Sequence, residues 1–249
     1  MLYCGICHSD CFACEDNWGN AMWPLVPGHE LLGRVTEIGE GVTKFKVGDT
    51  VGVGCFVEAC LECEFCKDNE EQYCDGGMTG TYGGERKHGL ALGDKKMKTW
   101  GGYSGSHVVH EHFVCKIPDN LPLDKAAPIL CAGITMYDPL RHWGFVDSKP
   151  KVVGIVGIGG LGTMGMKLAK ALGHTVVAIS QSEKKKDMAK ERGADHYVAM
   201  SVFKEAPDTY KETPKCHLII NSVSADHQAA DYLPLLAKSG TLVQIGLVT

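Results

Sequence analysis

The chain has 249 residues, 44% of them hydrophobic, and a formal net charge of −5. That length holds one large or two ordinary domains with ample core, while the acid excess offers no basic footprint for nucleic acid and no run is apolar enough to span a bilayer. Twelve cysteines are many for such a chain. Without a charged-then-apolar signal pattern at the first residues, they read as metal ligands in a reducing compartment rather than as disulfides, and the expected location is the cytosol.

Met1 to Ile6 is short and apolar and reads as the end of a strand. Cys7-His8-Ser9-Asp10 follows, and then, after a turn-rich loop with Trp18, Trp23 and Pro24, comes Gly28-His29-Glu30. A thiolate and an imidazole are borderline-soft donors that suit zinc, and a catalytic zinc takes three protein ligands with a fourth position open. Cys7 and His29 are candidates for two of the three. The competing readings are a buried cysteine with a satisfied core histidine, and a four-thiolate site from Cys4, Cys7, Cys11 and Cys14 that leaves His8-Ser9-Asp10 without a role. The two tryptophans either wall an apolar pocket or simply pack.

Leu31 to Val53 alternates apolar and polar residues between glycine-containing turns, a β-hairpin-rich pattern, with Gly52 and Gly54 interrupting its last strand. Cys60, Cys63, Cys66 and Cys74 then fall in the spacing C-x2-C-x2-C-x7-C. Four thiolates without a histidine make a closed, structural zinc site; an iron–sulfur run has a shorter last spacing followed by proline. Thr79 to Trp100 reads as a long surface loop, with Lys95, Lys96 and Lys98 as a solvated face. Gly101 to Pro118 returns to strand character, and His107, His110 and His112 alternate along it as an exposed face rather than a metal cluster. Asp124 to Leu140 is helix-like and carries Cys131, a candidate third catalytic ligand.

At Lys151 the texture changes. The β-branched run Val152 to Val156 leads into Gly157-Ile158-Gly159-Gly160-Leu161-Gly162, a helical stretch to Leu172, and a second strand from Thr175 to Ile179. Strand, glycine turn, helix and strand in that order fit a dinucleotide fold, in which glycines allow close approach of the pyrophosphate and a helix N-terminus attracts it. Asp187 to Arg192 is helical, His196 to Ala199 and His217 to Asn221 are strands, Gln228 to Ala237 is helical, and Thr241 to Leu247 is a strand. This alternation predicts a parallel sheet with helices on both faces.

These stretches together (CGICHSD, VPGHE, the four-cysteine lobe, GGYS, AAPILCAGIT, VGIVGIGGLGTMG and GADHY) resemble the zinc-dependent medium-chain alcohol dehydrogenases, within the medium-chain dehydrogenase/reductase group and closest to its cinnamyl alcohol dehydrogenase-like members. The resemblance implies an α/β Rossmann cofactor domain, residues 131–249, and a mostly-β GroES-like catalytic domain, residues 1–130. It also places further strands before Met1 and after Thr249, so both domains are expected to be incomplete, with sheet edges left open. It implies two zincs: one on Cys7, His29 and Cys131, with Glu30 approaching during ligand exchange, and one on Cys60, Cys63, Cys66 and Cys74. Asp10 would fix His29, Ser9 would pass a proton between substrate and solvent, and Phe12, where many members carry histidine, would shorten that relay. His8 and Thr135 would contact the cofactor, together with Gly157, Gly159, Gly160, Leu161, Gly162, Ser222, Val223 and Gly246.

An acidic residue at the end of the second Rossmann strand would favour NAD. Here the strand runs into Ser180-Gln181-Ser182-Glu183-Lys184-Lys185-Lys186. Ser180, Gln181, Ser182 and Lys186 suit the 2′-phosphate of NADP(H). The expected activity is hydride transfer between NADP(H) and a small-molecule alcohol or aldehyde, aromatic or medium-chain, in a protein whose relatives form homodimers. The alternatives are an NAD-linked alcohol dehydrogenase and a non-enzymatic binder of zinc and nucleotide.

Overall fold

A computed structural model describes residues 1–90 and 96–247. The chain divides into two compact units, Met1–Cys131 and Ala132–Thr249.

In the first unit the elements are β1 (Tyr3–Cys4), α1 (His8–Cys14), β2 (Leu31–Arg34), β3 (Thr50–Val53), β4 (Phe56–Glu58), α2 (Glu64–Lys67), β5 (Thr79–Gly80), β6 (Cys115–Lys116) and α3 (Leu123–Ala126). A four-stranded sheet runs β1-β2-β3-β6 with every pair antiparallel, and β4 pairs with β5. Side chains alternate between the faces of a strand, so neighbours Leu31 and Leu32 serve different cores. Leu31 packs with Val53 and Val57, and Leu32 with Ile117, Ala126 and Ala127. Gly52 and Gly54 interrupt β3 and its exit because Leu130 lies against them. A Cβ at Gly52 would meet Leu130 Cδ1 at 2.8 Å, and one at Gly54 would meet Leu130 O at 2.9 Å.

Three sequence expectations change here. Asp124 to Leu140 is not one helix: α3 passes into a 3-10 turn, Ala127–Leu130, and α4 (Ala132–His142) starts only after Cys131, whose φ −123° and ψ −73° break the run. Pro128 lacks the N–H that a continuous helix would use. Gly101 to Pro118 is not one strand; His110 starts a 3-10 turn, its Nδ1 accepting from His112 N, and the strand within it is Cys115–Lys116. His112 Nε2 is held by Glu71 Oε1 at 2.6 Å. The described parts of Thr79 to Trp100, residues 79–90 and 96–100, are anchored from inside rather than lying loose on the surface. Buried Glu58 accepts Lys87 N, His88 N and Leu90 N, and Arg86 pairs its backbone with Lys96 and Met97. Lys95 lies outside the described residues.

The second unit continues from α4 with β7 (Val152–Val156), α5 (Gly160–Ala171), β8 (Thr175–Ser180), α6 (Lys186–Glu191), β9 (His196–Ala199), α7 (Met200–Glu205), β10 (Cys216–Asn221) and β11 (Leu236–Gln244). Its sheet is wholly parallel in the order β9-β8-β7-β10-β11. Both faces are covered, so the strands read as continuous apolar runs: Val153, Ile155, Ala178 and Ile220 fill one core, Val156, Val177, Ile179 and Ile219 the other. The chain starts at the centre, builds outward, then returns to the other side of β7. The resulting crevice lies beyond the carboxyl ends of β7 and β10, the switch point where such sheets bind ligands. The expected helix from Gln228 to Ala237 is a 3-10 segment, Ala229–Leu235, containing Pro234, and the last strand begins at Leu236 rather than Thr241 and ends at Gln244 rather than Leu247.

Candidate metal centres and cofactor turn

Helix α1 starts at His8 because Asp10, in its first turn, accepts the Cys7 N–H on Oδ2 at 3.1 Å. Asp10 Oδ1 accepts the Gly28 N–H at 3.0 Å and holds His29 Nδ1 at 2.9 Å. One buried carboxylate therefore joins the start of α1 to the loop that carries His29. An ionised carboxylate only accepts, so Nδ1 bears a proton and Nε2 is the nitrogen left to face the sulfurs. Nε2 is 3.2 Å from Cys131 Sγ, and that sulfur is 4.0 Å from Cys7 Sγ. Donor atoms of Cys7, His29, Glu30 and Cys131 all lie within 4.8 Å of one another. Two sulfurs, one imidazole and one carboxylate are a donor set that fits zinc.

The electrostatics describe a site prepared for a cation. Burial pushes the Asp10 carboxyl up, but His29 and the Cys7 N–H outweigh it and hold the pKa at about 2. Burial pushes His29 down, yet Asp10 and Cys7 raise it to about 10. The Cys131 thiol, aided by His29 and Ser9, lowers Cys7 to about 3, while Cys55 and Cys7 raise Cys131. Burial, then the Cys7 charge, lifts Glu30 to about 7. A metal takes these residues as thiolates and a neutral imidazole, so its binding releases protons here.

Ser9 follows in the first turn of α1, two residues after Cys7, and helps lower the Cys7 thiol. His8 is exposed and meets Phe12 edge-on at 4.5 Å. Three neighbours escaped the sequence reading. Tyr82 sets its ring 5.7 Å from that of His29 and donates to Ser9 O at 3.2 Å. Tyr103 donates to Asp10 Oδ2 at 2.8 Å. Cys55 Sγ donates to Leu130 O at 3.9 Å, next to Cys131 in the chain. The four-thiolate alternative does not form: Cys11 and Cys14 are exposed and belong to neither ligand set found among the described residues, and neither do His107, His110 and His112.

Cys60, Cys63, Cys66 and Cys74 form the other set, again with donor atoms within 4.8 Å. Cys60 Sγ and Cys66 Sγ are 3.8 Å apart. Backbone N–H groups of Glu62 and Cys63 point at Cys60 Sγ at 3.4 and 3.3 Å and lower that thiol to about 6. Cys60 N in turn donates to Cys74 Sγ at 3.3 Å. Burial pushes Cys66 up to about 12. Four sulfurs without an open place suit a structural ion.

In the second unit the glycines of the turn divide by role. Gly157 has φ +88°, and a Cβ there would press on Ser222 Oγ at 2.9 Å. A Cβ on Gly162 would lie 1.8 Å from Gly157 O, and one on Gly246 2.1 Å from Val223 O. Nothing lies within 4 Å of a Cβ at Gly159 or Gly160, the open approach to the N-terminus of α5. Leu161 packs on the core, and Ser222 Oγ donates to Val156 O at 2.8 Å. Ser180 ends β8; Gln181 O accepts from Ser201 N, and Ser182 O from Tyr197 Oη. Lys186 is turned to Glu183 at 3.1 Å, and Tyr210 holds the same carboxylate at 2.7 Å. Lys185, not Lys186, reaches the glycine turn, donating to Ile158 O at 2.9 Å. Thr135 is half-buried on α4, beside Met136, which packs against Gly165 of α5.

A closed cysteine set, an open Cys-His-Cys set and a Rossmann sheet together define a zinc-binding nucleotide-linked dehydrogenase. Family models agree: residues 1–119 match the alcohol dehydrogenase GroES-like domain and residues 160–249 the zinc-binding dehydrogenase domain. The chain is 50% identical over 247 residues to NADP-dependent alcohol dehydrogenase C 1 of Mycolicibacterium smegmatis, covering 98% of this chain and 67% of that one. Among solved structures it is similar to a cinnamyl alcohol dehydrogenase from Sorghum bicolor (TM-score 0.86, 44% identity, covering 98% of this chain and 66% of that one). It is also similar to CAD from Helicobacter pylori complexed with NADP(H) (TM-score 0.85, 39% identity, 100% and 67% covered). The chain thus spans about two thirds of the length of these relatives. It belongs to the zinc-dependent alcohol dehydrogenase family, in its medium-chain, cinnamyl alcohol dehydrogenase-like group.

Proposed function

We propose that the protein interconverts an alcohol and an aldehyde, aromatic or medium-chain, with NADP(H) as hydride carrier and two zincs per chain. The observation that carries this reading is the convergence of Cys7, His29 and Cys131 around one point, with Asp10 fixing the imidazole. Zinc on these three residues supplies Lewis acidity toward the carbonyl oxygen, and the bound dinucleotide supplies the hydride. Asp10 keeps the His29 tautomer that leaves Nε2 free. Ser9, two residues after Cys7, passes a proton between the substrate oxygen and water, and Phe12 offers no further relay. Glu30 stands ready as an exchange ligand. Cys60, Cys63, Cys66 and Cys74 hold the structural ion.

For the cofactor, Gly159 and Gly160 give the pyrophosphate its approach, with Gly157, Leu161, Gly162, Ser222, Val223 and Gly246 shaping the turn. His8 and Thr135 complete the contacts. Ser180, Gln181, Ser182 and the lysines select the 2′-phosphate, with Lys185 joining Lys186 in that role. Glu183, the residue most able to favour NAD, is already held by Tyr210 and Lys186. The NADP-linked relative and the NADP(H) complex support the same choice. Trp18 and Trp23, both exposed just before His29, suit a flat or apolar substrate. No helix among the described residues is long and apolar enough to cross a membrane, and a cytosolic, homodimeric protein acting on small molecules is part of the same proposal.

The test is cinnamaldehyde reduction by NADPH and by NADH at low and high salt. A higher specificity constant for cinnamaldehyde than for acetaldehyde is expected, as is a preference for NADPH that shrinks with salt, because exposed charge pairs are screened. Equal use of both cofactors at low salt points to the NAD-linked alternative. Nucleotide binding without turnover in the zinc-loaded protein points to a non-enzymatic binder.

A further inference from the structure

Tyr103 has no role in the chemistry above, yet it touches the group that organises the metal centre. A carboxylate offers about four lone-pair sites, and Asp10 fills them with Gly28 N and His29 Nδ1 on Oδ1 and Cys7 N and Tyr103 Oη on Oδ2. Gly5 O also lies 3.2 Å from the Tyr103 hydroxyl, but the shorter, charge-assisted bond to Asp10 is the stronger. Of the four donors, two are backbone and one is a metal ligand. Tyr103 alone is a side chain whose sole polar task is Asp10 and its immediate surroundings.

The approach of Tyr103 is built into the backbone. Gly101 N donates to Val26 O, Gly102 N to Gly28 O and Tyr103 N to Pro27 O, at 2.7, 2.9 and 3.1 Å. The two strips lie so close that a Cβ on Gly101 would meet Pro27 O at 2.3 Å and one on Gly102 would meet Leu31 Cγ at 2.5 Å. Glycine is required at both positions for this contact, and the tyrosine follows directly.

We propose that Tyr103 is a positioning residue for the catalytic zinc: its hydroxyl locks the Asp10 carboxylate so that Oδ1 aims His29 at the metal. The role rests on the assignment of Cys7, His29 and Cys131 as zinc ligands. Without the hydroxyl, Oδ2 keeps one donor, the carboxylate is free to swing, and His29 loses its fixed orientation. Groups that orient a ligating histidine typically govern metal affinity by about 10–100-fold.

The test compares wild type with Tyr103→Phe, which keeps the ring and its packing. Zinc content is measured first, then release of each zinc to a chelator, then the visible spectrum of the cobalt-substituted protein, which assigns each release phase to its ligand set. Two zincs in wild type are expected. In Tyr103→Phe the Cys-His-Cys metal should leave about tenfold faster and its cobalt bands should shift, while release from the four-cysteine set stays unchanged. Unaltered release and spectra would overturn the role. So would equal acceleration at both sets, which marks a general loosening of the fold. A single zinc in wild type would instead overturn the ligand assignment, and the role with it.

Discussion

Gly5 illustrates how one missing atom shapes the metal centre. A Cβ there would lie 1.7 Å from Glu30 Oε2, so the carboxylate occupies space that only glycine leaves. Gly5→Ala is therefore expected to drive Glu30 out of its place beside Cys7 and His29, lowering turnover and altering the exchange of isotopically labelled zinc at this centre alone. Asp10→Asn tests the neighbouring carboxylate. All four partners of Asp10 are N–H or O–H donors, and an amide NH2 must face at least one of them. The cost should be about 1–3 kcal/mol, read as a lower Tm and loss of one zinc. At this scale the two clusters of candidate ligands were legible because cysteine and histidine have few chemical uses in such spacings. Tyr82, Tyr103 and Cys55 were not. Their contacts join segments far apart in sequence, 93 residues for Tyr103 and Asp10, and tyrosine carries no ligand chemistry that would single it out. Lys185 and Lys186 differ only in rotation about a short helix, which composition does not reveal.

Among the elements, the four-cysteine lobe and the Cys7–His29–Cys131 cluster are mechanically joined. The chain leaving the lobe passes through β5 to Thr81, whose Oγ1 donates to Gly54 O, and reaches Tyr82, which braces Ser9 and His29. Cys63→Ser should remove the structural zinc and also reduce turnover, although no catalytic ligand is changed; elemental analysis with kinetics on the same preparation checks this. A second element-level prediction concerns α5, β8 and β9. Burial pushes the Asp195 carboxyl up, but Lys170 at 2.5 Å and Val176 N at 2.8 Å outweigh it and leave its pKa low. A depressed folded pKa gives stability that is present above the unfolded value, about 3.9, and lost as pH falls through the folded one. Asp195→Asn should destabilise the fold at neutral pH by less than about 1 kcal/mol because the pair is partly exposed, read as a lower Tm, and the difference from wild type should vanish in acid. Strands β7 to β10 were legible to within a residue, whereas β11 starts five residues before the expected Thr241. The 3-10 segments at Ala127–Leu130, Glu111–Phe113 and Ala229–Leu235 were not, because proline and histidine capping end helices and strands locally without disturbing the apolar pattern from which they are read.

For the whole molecule, the Rossmann sheet was the most legible part, since strand–helix alternation with short links leaves few topologies for a parallel sheet. Its centre is correspondingly unforgiving. Ile220 is fully buried on β10, and Ile220→Ala should cost about 2–5 kcal/mol, seen in the denaturation midpoint of the nucleotide-binding unit. The two ligand sets also differ in how much chain each must gather. Cys60 and Cys74 are 14 residues apart, whereas Cys7 and Cys131 are separated by 124. Closing the longer loop costs about 2 kcal/mol more in chain entropy. The consequence is an order in time. During refolding the four cysteines can gather their ion while most of the chain is still unstructured, and the Cys7–Cys131 pair must wait until nearly the whole first unit has formed. Limiting metal should therefore fill the structural set first and leave a folded population without turnover, which a second addition of zinc restores.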